Sequence, residues 1–416
     1  MDLRKRLRTL QGEAGAMAPE GACGKADRPP EGGGQKKPAV RARLDRLRAA
    51  ARGANDRPRG HGDPDRLAVA LGAECVEPGV VRVDTHLSPG ARHGCTTLPP
   101  GDAAVRFPGW PRVLLRDLAF LDTETSGLAG GTGTVAFNIG VLRWADGAWR
   151  SRQYLLTGFG GEAPMLRALA SDLRECRGLV TYNGGSFDLP LLRDRYRLQR
   201  QPDPHLPTAH LDLLHPVRRL YRNRWSDCRL ASAEAALLGL ERGDDLPGAE
   251  VPAVWFDWVH RGRGERFGAV LQHNRLDILS LLALMPALAG AVRAPGRWGA
   301  CPLGAARYWR QQGQAGRARL LLERAEDLDF NGQHELARLR HRGGWGEGAV
   351  ALWEALAARG CPRALEQLAK YHEHVRHDMR TALALAERLP ASVARERRRA
   401  RLLRRCGAER TLPLDL

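Results

Sequence analysis

At 416 residues, with 43% hydrophobic and 27% charged side chains, the chain can hold two or three domains with their own cores, which excludes a wholly disordered protein. Its 65 Lys and Arg against 47 Asp and Glu give +18, but only five of the basic residues are lysine, a bias that genome composition alone can produce, so the sum does not by itself mark a nucleic-acid binder. Residues 1–60 carry 15 basic and 7 acidic side chains and residues 301–416 carry 22 and 14, so the excess sits on the flanks of a nearly neutral middle.

In chain order, residues 1–60 are rich in Gly, Pro, Ala and Arg without apolar periodicity and read as a disordered basic tail, with one short helix near residues 40–52. The start of the chain has charge but no apolar core of a secretory signal. Residues 61–110 read as a small extended segment with "VVRVDTHL" as its best strand; His86, His93 and Cys95 there lack a fourth partner at a metal-ligating spacing. Over 111–295 strands and helices alternate. "RDLAFLDTET", "TVAFNIGVLRW" and "WRSRQYLL" are strand-like, "APMLRALASDLREC" is an amphipathic helix, "GLVTYN" a buried strand, and helices follow. This order predicts an α/β domain with a mixed sheet. The apolar run 278–292, interrupted by Pro286, is too short to span a bilayer and reads as a buried helix.

Beyond Pro295, residues 296–416 read as helix pairs that repeat every 31 to 33 residues, with Ala318, Ala349 and Ala382 at one small position and Glu323, Glu354 and Glu387 at another. That period predicts a stacked array of tetratricopeptide-like hairpins with one concave face for a protein partner, with a plain helical bundle as the alternative. The eight cysteines form no CxxC pair, which fits reduced thiols and a cytoplasmic location.

The glycine-rich stretch after "LDTETSG" poses a choice between a phosphate-holding loop and a strand connection. A phosphate loop needs a helix N-terminus after it, and here strand material follows, so the loop joins two strands. The carboxylates carry more. On a strand, Asp122 and Glu124 point to one face, where two adjacent charges are costly unless a cation binds. Asp188 lies at a strand-to-helix junction in "NGGSFDLP", and His273 and Asp277 share one face of an apolar helix. Two divalent cations would neutralise four such carboxylates and make the arrangement that cleaves phosphodiesters by in-line attack of water. Arginines 193, 195, 197, 200, 218, 219, 222, 224 and 229 read either as a solvated helix face or as a phosphate-tracking surface. Asp212, in "HLDLL", reads either as an acid that supports the other carboxylates or as a structural strand-end residue, with the strand end preferred.

The order DxE, NxxxFD, HxxxD resembles the DnaQ-like (DEDD) 3′–5′ exonuclease superfamily of the ribonuclease-H-like fold. More narrowly, "DTETSGLAGGTGTVAFNIG", "HLDLLHPVRRLYR", "CRLASAEAALLGLERGDDLPGAEVP" and "HNRLDILSL" resemble the YprB-type ribonuclease-H-like proteins, in which helical repeats commonly follow the nuclease-like domain. The resemblance implies that Asp122, Glu124, Asp188 and Asp277 bind two divalent cations, Mg²⁺ or Mn²⁺, and that His273 is the general base. His273 departs in one respect: it lies four residues before Asp277, the spacing of the Tyr-type members. Thr125, Gly127, Asn183, Phe187 and Arg193 are the expected contacts to DNA or RNA, single-stranded or with a 3′ end, with Phe187 packed in the core or stacked on a base and the core the preferred place. The expectation is a metal-dependent 3′–5′ exonuclease; the alternative is a nucleic-acid-binding module of weak or no activity that recruits a protein through its repeats.

Overall fold

The computed structural model describes residues 62–127, 133–202, 209–342 and 346–409. The basic tail with its expected short helix, and most of the glycine loop after Gly127, lie outside these residues.

Helix α1 (Pro64–Leu71), capped by the Asp63 carboxylate, leads into strands β1 (Glu74–Glu77) and β2 (Val80–Leu87). Two short hairpins follow, β3 (Arg92–His93) with β4 (Thr96–Thr97) and β5 (Ala104–Val105) with β6 (Val113–Leu114). Strands β7 (Leu118–Thr125), β8 (Ala136–Ala145) and β9 (Ala148–Leu156) form an antiparallel meander. The β8–β9 turn is Asp146-Gly147, both at positive φ (52° and 79°), the two-residue geometry whose twist matches its flanking strands. Helix α2 (Glu162–Leu173) then returns the chain to β10 (Gly178–Thr181), which pairs parallel to β7. After helix α3 (Asp188–Leu198), β11 (Ala209–Asp212) pairs parallel to β10.

The seven long strands make one mixed sheet in the order β1-β2-β9-β8-β7-β10-β11. The segment before residue 111 is therefore built into the sheet, because β2 pairs with β9 from Val80 opposite Leu156 to Leu87 opposite Trp149. Strand β11 is four residues long, and the sequence marked only its end, at Asp212.

Alternation along β7 assigns its two faces. Leu118 and Phe120 pack with Leu142, Trp149 and the body of a long helix, whereas Ala119 and Leu121 pack with Ile139, Val141 and helices α2 and α3. Helices α4 (Leu214–Tyr221), α5 (Leu230–Leu238) and α6 (Val251–Arg261) precede that long helix, α7 (Phe267–Arg293). It is long and apolar enough to cross a membrane, but most of its apolar stretch is buried inside the protein, as a core helix requires.

The rest is helical: α8 (Pro302–Gln311), α9 (Ala315–Glu323), α10 (Phe330–His341), α11 (Glu347–Ala358), α12 (Pro362–His374), α13 (Met379–Glu387) and α14 (Val393–Glu409). Each packs on the next, and Ala318, Ala349 and Ala382 are all buried, as their shared position in the period required. The array is not detached from the sheet. Helix α8 lies on α4 and α7, so close that a side chain at Gly304 would meet the Arg219 carbonyl oxygen at 2.1 Å. The apolar core beneath the sheet runs on without a break through α7 into α8, α9 and α10.

Candidate active site

Asp122 and Glu124 leave the end of β7 on the face covered by α7, and Thr123 between them leaves on the other face. Asp188 stands at the first turn of α3 beyond the end of β10, and its carboxylate accepts from the Thr123 hydroxyl at 2.5 Å. Asp188 is therefore not the cap of its helix; Phe187 holds that position. His273 and Asp277 come from the same face of α7, one turn apart. The His273 Nε2 is 3.9 Å from Glu124 Oε1 and 4.0 Å from Asp277 Oδ2. The five residues picked out by periodicity and spacing thus meet at one end of the sheet.

Their electrostatics confirm how close they are. Burial pushes the Asp122 carboxyl well above the usual carboxylate range, and the charges of Asp277, Asp188 and Glu124 push it further. Burial lifts Glu124 to about 7, although His273 pulls it back. Asp188 rises to about 6 by burial, against the Thr123 hydroxyl, and burial also raises Asp277 while the Arg242 guanidinium opposes it. The site is not sealed: the Glu124 and Asp277 side chains keep 12% and 14% of their surface, enough for a small ligand to reach them.

A second layer fixes these groups. Asp122, Gly140 and Gln153 stand directly opposite one another across β7, β8 and β9 and so share a face. Over that row lies Asn274 of α7, fully buried, which donates to the Asp122 carboxylate at 2.9 Å and accepts from Gln153 at 2.9 Å. Gly140 makes this possible, since a Cβ there would be 2.0 Å from the Asn274 oxygen. The next row places Asn138 opposite Glu124; Asn138 is fully buried, and neither of its amide atoms has a partner among the described residues.

On the other side of the site, the loop between α5 and α6 supplies Asp245, whose Oδ2 is 2.7 Å from His273 Nδ1. With Nδ1–H given to Asp245, the lone pair of Nε2 faces the carboxylates. Arg242 of the same loop pairs with the fully buried Glu234 through two bonds of 2.6 Å, with Asp245 at 3.0 Å, and with Asp277. Arg242, Asp245, Asn274, Gln153 and Gly140 were not singled out in sequence; they meet the carboxylates only through strand register and loop placement.

Other expectations are corrected or refined. Phe187, given a place in the core, is 58% exposed at the mouth of α3. Of the arginines at 193–229, Arg195 is buried against Glu162 and so is structural, whereas Arg193 is exposed. Asn183, in the left-handed conformation (φ 66°), and Gly185 donate their backbone N–H groups to Asp212, which holds the loop before Asp188, the structural part given to that acid. The Thr125 hydroxyl is spent locally on the Gly127 carbonyl. His93 is buried and bonded to Ser280 at 2.8 Å, a core histidine.

Metal ions would suit this donor set. Glu124 Oε1 is buried with no hydrogen-bond partner, and the other three acids are hard oxygen ligands within reach of one another's charge. Among the described residues no three such side chains already converge on one point. The reason is visible in their bonds: Asp122 is turned to Asn274, Asp188 to Thr123 and Asp277 to Arg242.

Residues 119–289 match the RNase_H_2 model of the RNase_H superfamily. Over 284 residues the chain is 32% identical to the uncharacterized protein YprB of Bacillus subtilis (strain 168), an alignment spanning 65% of this chain and 68% of that one. The chain belongs to the YprB family. As a YprB-family protein it carries a ribonuclease-H-like domain, of a superfamily whose members are typically hydrolytic nucleases and usually use divalent metals. A family B DNA polymerase from Pyrobaculum calidifontis is a distant structural neighbour, at 15% identity and a TM-score of 0.36; the match covers 67% of this chain and only 35% of the polymerase.

Proposed function

We propose that this YprB-family protein is a metal-dependent 3′–5′ exonuclease acting on DNA or RNA. The observation that carries the reading is the meeting of four carboxylates from three separate elements beside a histidine whose Nε2 is held toward them by Asp245. Asp122, Glu124, Asp188 and Asp277 would hold two Mg²⁺ or Mn²⁺ ions, which when bound neutralise the carboxylates and polarise the phosphate.

The chain's own groups do the rest. His273 Nε2 takes the proton of the attacking water as its oxygen bonds to phosphorus and the bond to the 3′ oxygen breaks, so that a nucleoside 5′-monophosphate leaves. Asp245 keeps the other ring nitrogen protonated and the ring aimed. Asn274 holds Asp122 in place from above the sheet, and Thr123 holds Asp188 from below it. Arg242 pairs with both Asp277 and Glu234 and offsets their charge. Phe187, exposed beside Asp188, is placed to stack on a base at the 3′ end, with Arg193 as a phosphate contact and the Thr125–Gly127 backbone alongside. The C-terminal hairpins, with their period and buried alanines, support a tetratricopeptide-like reading of the helical region.

The test is incubation of the wild type with 3′-labelled and 5′-labelled single-stranded and duplex DNA and RNA in Mg²⁺ or Mn²⁺, beside Asp277→Asn and an EDTA control. Metal-dependent mononucleotide release lost in Asp277→Asn is the expected result. Binding without cleavage of any substrate would overturn the hydrolytic reading in favour of a recruiting module.

A further inference from the structure

Away from the carboxylates, a cleft of about 1260 Å³ opens where the loop between β5 and β6 and the C-terminal end of α7 meet the first helical pair. Arg106 and Arg112 enter it from the loop, and Arg293 and Arg297 from the end of α7. Arg317 and Arg324 face them from α9 and its end, and Arg224 completes the wall. Only two acids, Glu326 and Asp327, line the same cleft. All seven arginines are exposed, and among the described residues none of them enters an ion pair. That contrasts with Arg152, Arg195 and Arg242, which are each tied to carboxylates.

Seven guanidinium groups from four chain segments, without carboxylate partners among the described residues, repel one another around one concavity. We propose that this cleft is a second binding site, which grips the phosphate backbone of single-stranded nucleic acid at a distance from the carboxylates. Guanidinium groups suit phosphate because they donate in a planar fork to two oxygens at once. A row of them suits a chain of phosphates better than a single anion. One is already fixed in place: Arg317 lies over the Trp309 ring, 5.0 Å from its centre. Trp110, half-buried in the same wall, offers an aromatic face. The choice of nucleic acid over another polyanion rests on the phosphodiesterase reading of the carboxylate site; the binding itself does not.

The two sites are linked by α7. Arg293 follows Asp277 by sixteen residues on this helix, a separation of about 24 Å along its axis at 1.5 Å per residue. At about 3.4 Å per stacked nucleotide, a strand needs about seven nucleotides to reach from one to the other. The cleft would then hold the strand while its end is trimmed, favouring long substrates over short ones.

The experiment is fluorescence anisotropy with a labelled single-stranded 20-mer in EDTA, where nothing is cut, across a salt series. It compares wild type, the Arg297→Gln/Arg317→Gln/Arg324→Gln variant, the same three changed to Lys, and Asp122→Asn. Three lost phosphate contacts lower the slope of log K against log salt by about 2 for a single strand. The Gln variant is expected to show that drop and a loss of at least about tenfold in affinity at low salt. The Lys variant keeps most of the slope, and Asp122→Asn keeps all of it. Unchanged slope and affinity in the Gln variant overturns the proposal, as does competition by polyglutamate equal to that by unlabelled oligonucleotide, which would make the occupant an acidic protein segment. A wild type that binds with the expected slope but cuts nothing refutes the nuclease reading and leaves the cleft standing.

Discussion

Replacing Glu124 by Gln should make the metal-free protein more stable, and only above a definite pH. The Glu124 carboxyl is pushed by burial from an ordinary 4.5 up to about 7, a shift of about 2.5 pH units, which at 1.36 kcal/mol per unit is about 3 kcal/mol. The sign follows from proton counts: between 4.5 and about 7 the folded chain keeps a proton that the unfolded chain has released, so stability falls as pH rises through that window. Above about 7 the full cost of an ionised carboxylate among Asp122, Asp188 and Asp277 is in place. Gln has the same shape and no charge to lose. In EDTA, urea unfolding from pH 4.5 to 8.5 should show the variant gaining on the wild type by up to about 3 kcal/mol, the gain developing between pH 5 and 8. Mg²⁺ at pH 8 should then stabilise the wild type far more than the variant. Parallel pH curves for the two proteins in EDTA would refute the reasoning, because they would mean that Glu124 ionises in the folded chain as it does in water.

The layer around the carboxylates makes further outcomes testable. Arg242→Met leaves Glu234 buried without its cation and should cost about 3–5 kcal/mol in urea unfolding. Asp245→Asn should lower the cleavage rate about 10- to 100-fold with oligonucleotide affinity unchanged and the pH–rate profile altered, since it acts only through the His273 ring. Gly140→Ala drives a methyl group into Asn274 and should destabilise by about 1–3 kcal/mol, with a loss of Mg²⁺ affinity on titration that a merely structural clash would not cause. Gly304→Leu should force α8 off α4, seen as early unfolding of the helical region by hydrogen exchange while the sheet stays protected.

What the sequence discloses about the site follows from the range of its signals. Asp122 and Glu124 were legible because a period of two fixes their face, and His273 with Asp277 because four residues make about one helical turn. Asp188 was legible from the glycines before it and Pro190 after it. The supporting residues were not, because each depends on a meeting that no local period encodes. Asn274 matters only because the β7–β8–β9 register puts a glycine and Gln153 beside Asp122. Asp245 reaches His273 from a loop 28 residues away, with an intervening helix. Arg242 is one arginine among many until the fold brings Glu234 and Asp277 to it. Phe187 misled because an apolar residue ordinarily belongs inside, and here it stands exposed ahead of α3. The mixed sheet and the helical region after Pro295 were legible, since both rest on periodicity over long stretches; of the four-residue β11 only its end at Asp212 was.

Helix α7 serves two masters. Its first half presents His273, Asn274 and Asp277 to the carboxylates, and its second half is the floor on which α8 and the helical array stand. A chain cut after residue 295 would not be a sheet domain relieved of an accessory; it would be a beam with one side stripped, exposing the apolar flank that α8 to α10 cover. Conversely, anything that tightens or loosens the grip of the helical array bears on the same rod that sets the spacing of His273 and Asp277.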